Sequence, residues 1–260
     1  MTAVHDFNIN IPQSFAGTKG KGNGDAQSVS NEILLKLPGN EANVLLPKLE
    51  FVRLRIHQVL HEAGDNIKSV YFIDTGLLSI VNLQPDGKSV EVGLMGKGGF
   101  AGLPVIDGFR TSPNRAVAQA EGTAYRMEAD TLRQLLPQCP VLNRELHRFG
   151  QRLAMQAMQL AACNRLHEVD ERLARWLLMS HDLLCSNELP LTQELLGQML
   201  GTRRSSVSLA AGMLHRAGVI TYTRGNVTLL DKSKLENAAC DCYSAIQHQL
   251  KNWEAESQEN

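Results

Sequence analysis

The chain has 260 residues, 43% of them hydrophobic, and its 26 basic and 27 acidic side chains give a formal net charge of −1. This is enough hydrophobic sequence for one or two packed domains. The balanced charge excludes a uniformly basic nucleic-acid-binding protein, so any basic surface must be local. No apolar run reaches the roughly 18 residues of a membrane helix, and no secretory signal pattern opens the chain. Five cysteines, mostly far apart, indicate a reduced, cytoplasmic protein.

The N-terminal part of the chain changes character near residue 30. Residues 1–30 contain several Gly, Ser and Asn and no hydrophobic period, which predicts a disordered arm. Two short helices are predicted next, beginning at Asn31 and Asn40. Each asparagine can cap a helix, and each is followed by a glutamate that suits the positive end of the helix dipole.

A β-rich segment follows. Across residues 51–128, short runs of strand-forming residues alternate with Gly, Asp and Asn turns. The Asp86-Gly87 pair between two such runs predicts a hairpin. Many short strands with frequent glycines are typical of a compact β-barrel or β-roll. We therefore expect a β-roll sensor domain over residues 31–138.

A change of period after Pro140 predicts a long helix. Six apolar residues recur with the 4-3-4-4-3 spacing of one helix face: Leu142, Leu146, Phe149, Leu153, Ala157 and Leu160. Such a helix either packs only on its own domain or pairs with a second copy of itself in a coiled coil. Met155 and Met158 widen the stripe and Gly150 permits close approach, so we expect a dimerisation helix over residues 139–167.

The segment 193–212 has the spacing of a helix-turn-helix, within a C-terminal domain that we place at residues 168–234. The inward-facing positions of its two helices are apolar or small: Leu196, Gly197, Leu200, Val207 and Ala210. Gly201 supplies the turn, since glycine adopts a positive φ freely. In this motif the second helix lies in the DNA major groove with its N-terminal residues at base edges.

The side chains left facing outward suit DNA. They are two arginines and their hydroxyl-bearing neighbours: Thr202, Arg203, Arg204, Ser205, Ser206 and Ser208. Arginine can bond guanine bidentately, and serine can bond a phosphate or a base edge. Thr192 is placed to cap the first helix and to offer its hydroxyl to a phosphate. A merely solvated helix start is the alternative, but the helix dipole disfavours cations at an N-terminus.

The same region is locally basic. Residues 191–234 hold six basic and two acidic side chains, a net charge of +4. A predicted hairpin near their end carries Arg224 at its tip, where we expect a wing that touches the DNA backbone. Residues 235–260 are predicted to form a C-terminal helix and polar tail. Cys240-x-Cys242 within them is interpreted as a pair on a surface helix rather than a metal site, because the sequence shows no second pair or nearby histidine.

Together these segments resemble the Crp-Fnr family of regulators over residues 31–234. "LTQELLGQMLGTRRSSVSLAAGMLHRAGVI" is similar to the DNA-binding signature of the family, and "VYFIDTGLLSIV" with "DGKSVEVGLMGKGGFAG" resembles its β-roll core. The resemblance implies an α+β fold: a cyclic-nucleotide-binding-like β-roll, a long dimerisation helix and a C-terminal winged helix-turn-helix. It also implies a homodimeric transcription regulator, not an enzyme, that binds a two-fold symmetric DNA operator and can contact RNA polymerase.

The sequence departs from the family pattern at two places. Leu103 stands where cyclic-nucleotide binders have a ribose-binding Glu, and Asn114 stands at the phosphate-binding Arg, with Arg115 one position later. A one-residue slip on a strand moves a side chain to the other face. We therefore expect no cyclic-nucleotide cofactor, and the effector stays unidentified. In the second helix, Ser205 replaces a Glu that often contacts cytosine, so the operator should differ from the usual family sequence.

Other sensor chemistries and functions are weaker candidates. An iron–sulfur sensor of this family needs an N-terminal cysteine cluster, but the first cysteine is Cys139. A haem sensor would need an axial histidine, and we interpret His57 and His61 as exposed surface residues. A cupin-type metal enzyme would need a His-x-His pair, whereas the chain offers only His57-x-x-x-His61-Glu62. A sensor that acts only through protein contacts would leave the local positive charge unexplained.

Overall fold

The computed structural model describes residues 29–223 and 225–259. Nearly all of the predicted disordered arm and Arg224 of the predicted wing therefore lie outside the described residues. Val29 and Ser30, the last residues assigned to that arm, are described: Val29 packs against the hydrophobic core, and the backbone N–H of Ser30 donates to Asp74 Oδ1 at 2.7 Å. Among the described residues, no helix is both long and apolar enough to cross a membrane.

The N-terminal half is built on one antiparallel sheet of six strands. The strands are β1 (Glu50–Leu54), β2 (Val59–His61), β3 (Ser69–Leu83), β4 (Ser89–Met95), β5 (Phe100–Ala101) and β6 (Arg115–Glu128). Their order is β1-β6-β3-β4, with β2 added beside β6 and β5 beside β3. The long strands β3 and β6 bend where their register shifts between Ile73 and Leu78. At this bend Gly76 has φ +96°, and the backbones lie so close that a side chain on Gly122 would overlap Thr75 O.

The predicted hairpin between β3 and β4 is confirmed. The backbone N–H of Gln84 donates to Lys88 O at 2.8 Å and closes the turn. Gly87 has φ +83°, a conformation that glycine adopts without steric cost. The predicted α+β class with a β-roll core is thus the observed architecture.

Nine α-helices, three short 3₁₀ helices and a second, three-stranded sheet complete the described part of the chain. The helices are α1 (Glu32–Leu35), α2 (Gly39–Leu45), α3 (Ala129–Leu135), α4 (Pro140–Leu166), α5 (Val169–Leu184), α6 (Gln193–Met199), α7 (Arg204–Arg216), α8 (Lys232–Ala238) and α9 (Cys242–Glu259). The strands β7 (Glu188–Leu189), β8 (Ile220–Thr223) and β9 (Asn226–Leu229) pair in the order β7-β9-β8. The antiparallel β8–β9 pair is the predicted hairpin of the wing.

One of the two predicted asparagine caps is correct. Asn31 Oδ1 accepts from the backbone N–H groups of Ile33 and Leu34 and caps α1. Asn40 is not a cap, because α2 starts one residue earlier behind Pro38, whose φ of −67° and ψ of 156° set the extended N-cap conformation. The following Glu41 is buried, and its carboxylate accepts from two backbone N–H groups at the start of α4.

The long helix α4 buries the first half of its apolar stripe against its own sheet. Leu142, Leu146 and Phe149 belong to the hydrophobic core of the β-roll. Further along, Gln156 Oε1 accepts from the backbone N–H of Leu94 in β4 at 2.7 Å. This half of the helix follows the first of the two alternatives, in which the stripe packs on its own domain. These three side chains are therefore already covered by the chain's own domain.

A second hydrophobic core joins the C-terminal helices to the sheet. Leu77, Val81 and Leu94 of β3 and β4 are buried together with residues of α5, α6 and α7. At this junction Trp176 Nε1 donates to Glu91 Oε1 at 2.9 Å, and Ser79 Oγ donates to the other carboxylate oxygen. Burial raises the pKa of Glu91 to about 7, because a desolvated carboxylate resists ionisation.

Candidate nucleic-acid interface

The turn between α6 and α7 has the geometry that the helix-turn-helix prediction requires. Gly201 has φ +59°, a conformation that L side chains rarely adopt. The backbone N–H of Thr202 donates to Gly197 O at 2.9 Å. A Cβ atom on Gly197 would approach Thr202 O at 3.2 Å, so the small residue lets the turn fold back onto α6.

The inward faces of the two helices are buried as predicted. Val207 is fully buried and Ala210 is 2% exposed, and they pack in the same core as Leu196 and Leu200. The turn is also held from α5, since Arg172 donates a hydrogen bond to Leu200 O. The side chain of Arg172 was not identified from the sequence, because its partner is a backbone carbonyl 28 positions away.

The start of α7 is an open, positively charged helix N-terminus. Arg203 is the N-cap residue and makes no side-chain cap hydrogen bond, and the first turn contains no acidic residue. Arg203, Arg204 and Ser205 are exposed, and Ser206 is half-buried. Neither arginine has an ion pair with any other described residue. Free N–H groups and two guanidinium groups together form a favourable site for an anion.

The hydroxyl-bearing residues of the interface differ in their availability. Thr192 Oγ1 accepts from the backbone N–H of Leu195 at 3.1 Å, which confirms the predicted cap of α6 and leaves the hydroxyl proton available. Thr202 is half-buried in the turn. Ser208 Oγ instead donates to Gln193 Oε1 at 2.6 Å, so this hydroxyl links the two helices.

Two interface residues were missed by the sequence analysis. Tyr222 in the wing strand β8 accepts from the backbone N–H of Gln193 at 3.1 Å through its hydroxyl and fixes the wing to the start of α6. Leu209 is 73% exposed and lies about one turn after Arg204 and Ser205, on the same face of α7. The sequence could have indicated Leu209, because it is a leucine on the helix face that carries Arg204 and Ser205.

Part of the predicted local charge is neutralised within the protein. Lys232 pairs with Asp182 at 2.7 Å, and Lys234 pairs with Asp231 at 3.4 Å. Neither lysine forms part of the α7 surface. Among the described residues, the basic character of the interface therefore rests on Arg203 and Arg204 at the start of α7.

The β-roll positions that bind cyclic nucleotides in the related family are occupied by other contacts. Leu103 begins a short 3₁₀ helix, Leu103–Asp107. Asn114 Oδ1 accepts from Asn82 Nδ2 at 3.0 Å. Arg115 Nε lies 2.7 Å from Glu62 Oε2, so the displaced cation already has an anionic partner.

Two predictions of exposed residues are wrong. His61 is 8% exposed rather than on the surface, because β2 pairs with β6 and directs it inward; burial lowers its pKa. His57 is exposed as predicted. Cys240 and Cys242 are also buried, at 5% and 2% exposed. They lie against the end of α4, a long-range contact that no local pattern indicates.

Comparisons with known proteins agree with this geometry. Residues 171–238 match the family profile of the Crp-like helix-turn-helix domain, and residues 51–139 match that of the cyclic nucleotide-binding domain. Transcriptional regulator LdrP of Thermus thermophilus is 25% identical over 195 residues, which cover 70% of this chain and 93% of that protein. The nitrogen fixation regulation protein FixK of Bradyrhizobium diazoefficiens is 24% identical over 205 residues, covering 75% of this chain and 85% of FixK.

The chain belongs to the Crp-Fnr family. The solved structure of FixK2 from Bradyrhizobium japonicum has the same fold, with a TM-score of 0.63 and 19% identity over 74% of this chain and 98% of that one. As a Crp-Fnr protein, it is a DNA-binding transcription regulator. The family and the curated relatives are regulators and not enzymes, so the cupin-type alternative has no support.

Proposed function

We propose that this Crp-Fnr regulator binds a two-fold symmetric operator as a homodimer, with α7 in the major groove, and that no cyclic nucleotide controls it. The observation that carries the proposal is the open N-terminus of α7. Arg203, Arg204 and Ser205 are exposed there without ion-pair partners among the described residues. DNA supplies the anion and the base edges that such a surface fits.

Arg204, Ser205 and Leu209 form the base-contacting set. Arg204 is suited to a guanine, since its guanidinium can bond O6 and N7 together. Ser205 lacks the negative charge with which a glutamate attracts a cytosine amino group. The operator therefore differs from that of relatives with Glu at this position. Leu209 is 73% exposed and suits an apolar contact such as a thymine methyl group.

The phosphate-contacting set flanks these residues. Thr192 and Thr202 lie at the start of α6 and in the turn, and Arg203 and Ser206 lie at the start of α7. Arg224 directly follows β8 in the sequence, and on that position alone it is assigned to the DNA backbone. Ser208 contributes by holding α6 and α7 together through Gln193. These contacts position the protein, whereas the base-contacting set gives specificity.

The dimer contact is assigned to the second half of α4. Met155, Met158, Ala162 and Leu166 follow a 3-4-4 spacing on one face. Met158 and Leu166 are 68% and 73% exposed. This stripe differs from the one that the sequence indicated, whose first half is buried in the β-roll. To bind such an operator, two copies of α4 paired through it need to hold the two α7 helices about 34 Å apart, one turn of DNA.

Independence from cyclic nucleotides is supported by the contacts of the β-roll. A bound cyclic phosphate needs an unpaired cation, but Arg115 pairs with Glu62 at 2.7 Å. The ribose hydroxyls need an acceptor, and Leu103 has none. Binding would leave polar groups of the ligand without partners, which costs about 1–3 kcal/mol for each group.

Genome-wide mapping of the DNA that the purified protein binds tests the operator proposal. We expect a palindromic motif with half-site centres separated by one helical turn, and an affinity that falls steeply as salt rises because phosphate contacts release counterions. A motif without symmetry would contradict the dimer proposal. Binding that does not depend on salt would contradict the phosphate contacts.

A further inference from the structure

Three cysteines and one histidine meet where the long helix ends. Cys163 and His167 lie one helical turn apart at the C-terminal end of α4, Cys240 lies between α8 and α9, and Cys242 is the first residue of α9. The ligand atoms of all four residues lie within 4.8 Å of one another. Cys163 Sγ is 3.5 Å from Cys240 Sγ, and Cys242 Sγ is 3.5 Å from His167 Nδ1.

Hydrophobic packing does not account for this cluster. The three cysteines are buried together as a small group of their own, separate from the two large hydrophobic cores. Gln159 Nε2 also donates to Cys242 Sγ at 3.2 Å, a contact that orients this sulfur. His167 is half-buried. The three sulfurs of the cluster are therefore shielded from solvent, and the histidine is its partly accessible ligand.

Two buried arginines lie within electrostatic reach of the cluster. Arg172 and Arg175 of α5 are 7% and 2% exposed, and neither has an ion pair with a described residue. Their Nε atoms have no hydrogen-bond partner among the described residues. Glu91 is the carboxylate that interacts with Arg175, and its two oxygens also accept hydrogen bonds from Trp176 and Ser79.

The set of atoms fits one metal ion in particular. Zinc prefers four ligands in a tetrahedron, with Zn–S near 2.3 Å and Zn–N near 2.0 Å. Those bond lengths give sulfur–sulfur distances of about 3.8 Å, so sulfurs within 4.8 Å need only small shifts. Three thiolates, a neutral imidazole and Zn²⁺ carry a net charge of about −1, which the neighbouring arginines would offset.

We propose that Cys163, His167, Cys240 and Cys242 bind one Zn²⁺ ion as a Cys₃His site. His167 is the C-cap residue of α4, in extended conformation, and α5 begins two residues later. The ion would therefore tie the junction between the long helix and the helix-turn-helix segment to the C-terminal helices. Zinc at this place stabilises the orientation of the DNA-binding segment relative to α4.

Metal analysis of the full-length protein, purified in reducing buffer, tests the site. We expect about one zinc per chain. Replacement by Co²⁺ should give the intense sulfur-to-cobalt absorption and the visible bands of tetrahedral coordination. Cys163→Ser and Cys240→Ser should weaken zinc affinity, measured against a competing chelator, by at least about tenfold. Cys185→Ser is the matched control, since Cys185 is exposed and outside the cluster.

A second measurement holds even if the cysteine variants fail to fold. Alkylation followed by mass mapping should show Cys163, Cys240 and Cys242 protected in the native protein and modified after chelation, with Cys185 modified in both. His167→Gln, at a half-buried position, should keep the fold and shift the cobalt bands. Any effect of zinc on operator affinity rests on the proposed function. The number of zinc ions per chain and the pattern of cysteine alkylation do not, so they test the zinc site independently of DNA binding.

Three results would overturn the proposal. The first is native protein with all thiols reduced that binds neither zinc nor cobalt. The second is metal-free protein that contains a Cys163–Cys240 disulfide when isolated without reductant, which would identify a redox pair. The third is anaerobically purified protein that holds iron and sulfide at these residues, which would identify a cluster instead of zinc.

Discussion

Arg204 occupies a position where a cation is unfavourable for the isolated protein. It is the first residue of α7, where the helix dipole disfavours a cation, and it has no acidic residue in the first turn to offset the charge. The protein alone gains nothing from this placement. An arginine there is explained by an anion or a guanine edge from a bound DNA.

Substitution of Arg204 tests this assignment. We expect Arg204→Ala to weaken binding to the mapped operator by about 1–3 kcal/mol and to relax the preference at one base pair of each half-site. Arg216→Ala, at the other end of the same helix, is the control and should leave the preference unchanged. If Arg204→Ala keeps the wild-type ranking of operator variants, Arg204 does not contact the bases. Competition binding with single-base operator variants gives the measurement.

The pKa of Glu91 predicts how the free energy of unfolding depends on pH. Burial raises its pKa from 4.5 to about 7, so between these values the folded state holds a proton that the unfolded state has lost. The free energy of unfolding therefore falls as pH rises through this window, by up to about 3 kcal/mol. Glu91→Gln keeps the hydrogen-bonding shape and should remove this part of the slope.

Urea unfolding at pH 5 and pH 7 measures the effect. The wild-type protein should lose more stability between the two values than Glu91→Gln does. Glu194→Gln, at an exposed position, should keep the wild-type slope. Equal slopes for the wild type and Glu91→Gln would show that the carboxylate ionises normally.

The two halves of the helix α4 differ in how they are covered. Leu142 and Leu146 are fully buried against the β-roll, whereas Met158 and Leu166 are exposed. A helix that served only its own domain would not present two large apolar side chains to water at helical spacing. The second half of α4 therefore has the character of an unpaired interface.

Charge placed on this stripe should separate the copies. Met158→Glu would bring two carboxylates together near the two-fold axis, and their repulsion and desolvation disfavour the dimer. We expect a shift from dimer to monomer at micromolar concentration in sedimentation velocity, with a matching loss of operator binding. Phe109→Glu, at a β-roll position that is 66% exposed, should remain dimeric. A Met158→Glu variant that stays dimeric would place the interface elsewhere.

For the whole molecule, the question is what signal the β-roll senses. The sheet has the fold of a cyclic nucleotide-binding domain. The proposed independence from cyclic nucleotides rests on the contact of Arg115 with Glu62 and on Leu103, which stands where those binders have a glutamate. The second hydrophobic core joins this sheet to α5, α6 and α7. A change in the β-roll can therefore reach the DNA-binding segment through packing alone.

Added cyclic AMP should leave the protein unchanged. A ligand that binds the folded state at 100 times its dissociation constant adds about 2.7 kcal/mol to the unfolding free energy. We therefore expect no rise in Tm and no change in operator affinity with cyclic AMP at millimolar concentration. A rise of several degrees, or a large gain in affinity, would contradict our assignment of Leu103 and Asn114.

The sequence by itself determined the fold class, the Asp86-Gly87 hairpin and the helix-turn-helix. These features depend on neighbours in the chain: turn residues with positive φ, capping residues and apolar spacing. The exposure of Arg204 and Ser205 followed from the same spacing, whereas that of Leu209 was not identified. Each of these is a local property that residue order fixes directly.

Only the tertiary structure decided which faces are covered. Burial is set by segments distant in sequence, so no local pattern could show that the stripe of α4 packs on its own sheet or that His61 points inward. The cysteine cluster is the clearest case. Cys163 and Cys240 lie 77 positions apart and come within 3.5 Å only when α4 packs beside the C-terminal helices. Folding, through hydrophobic burial between distant elements, places these ligands together.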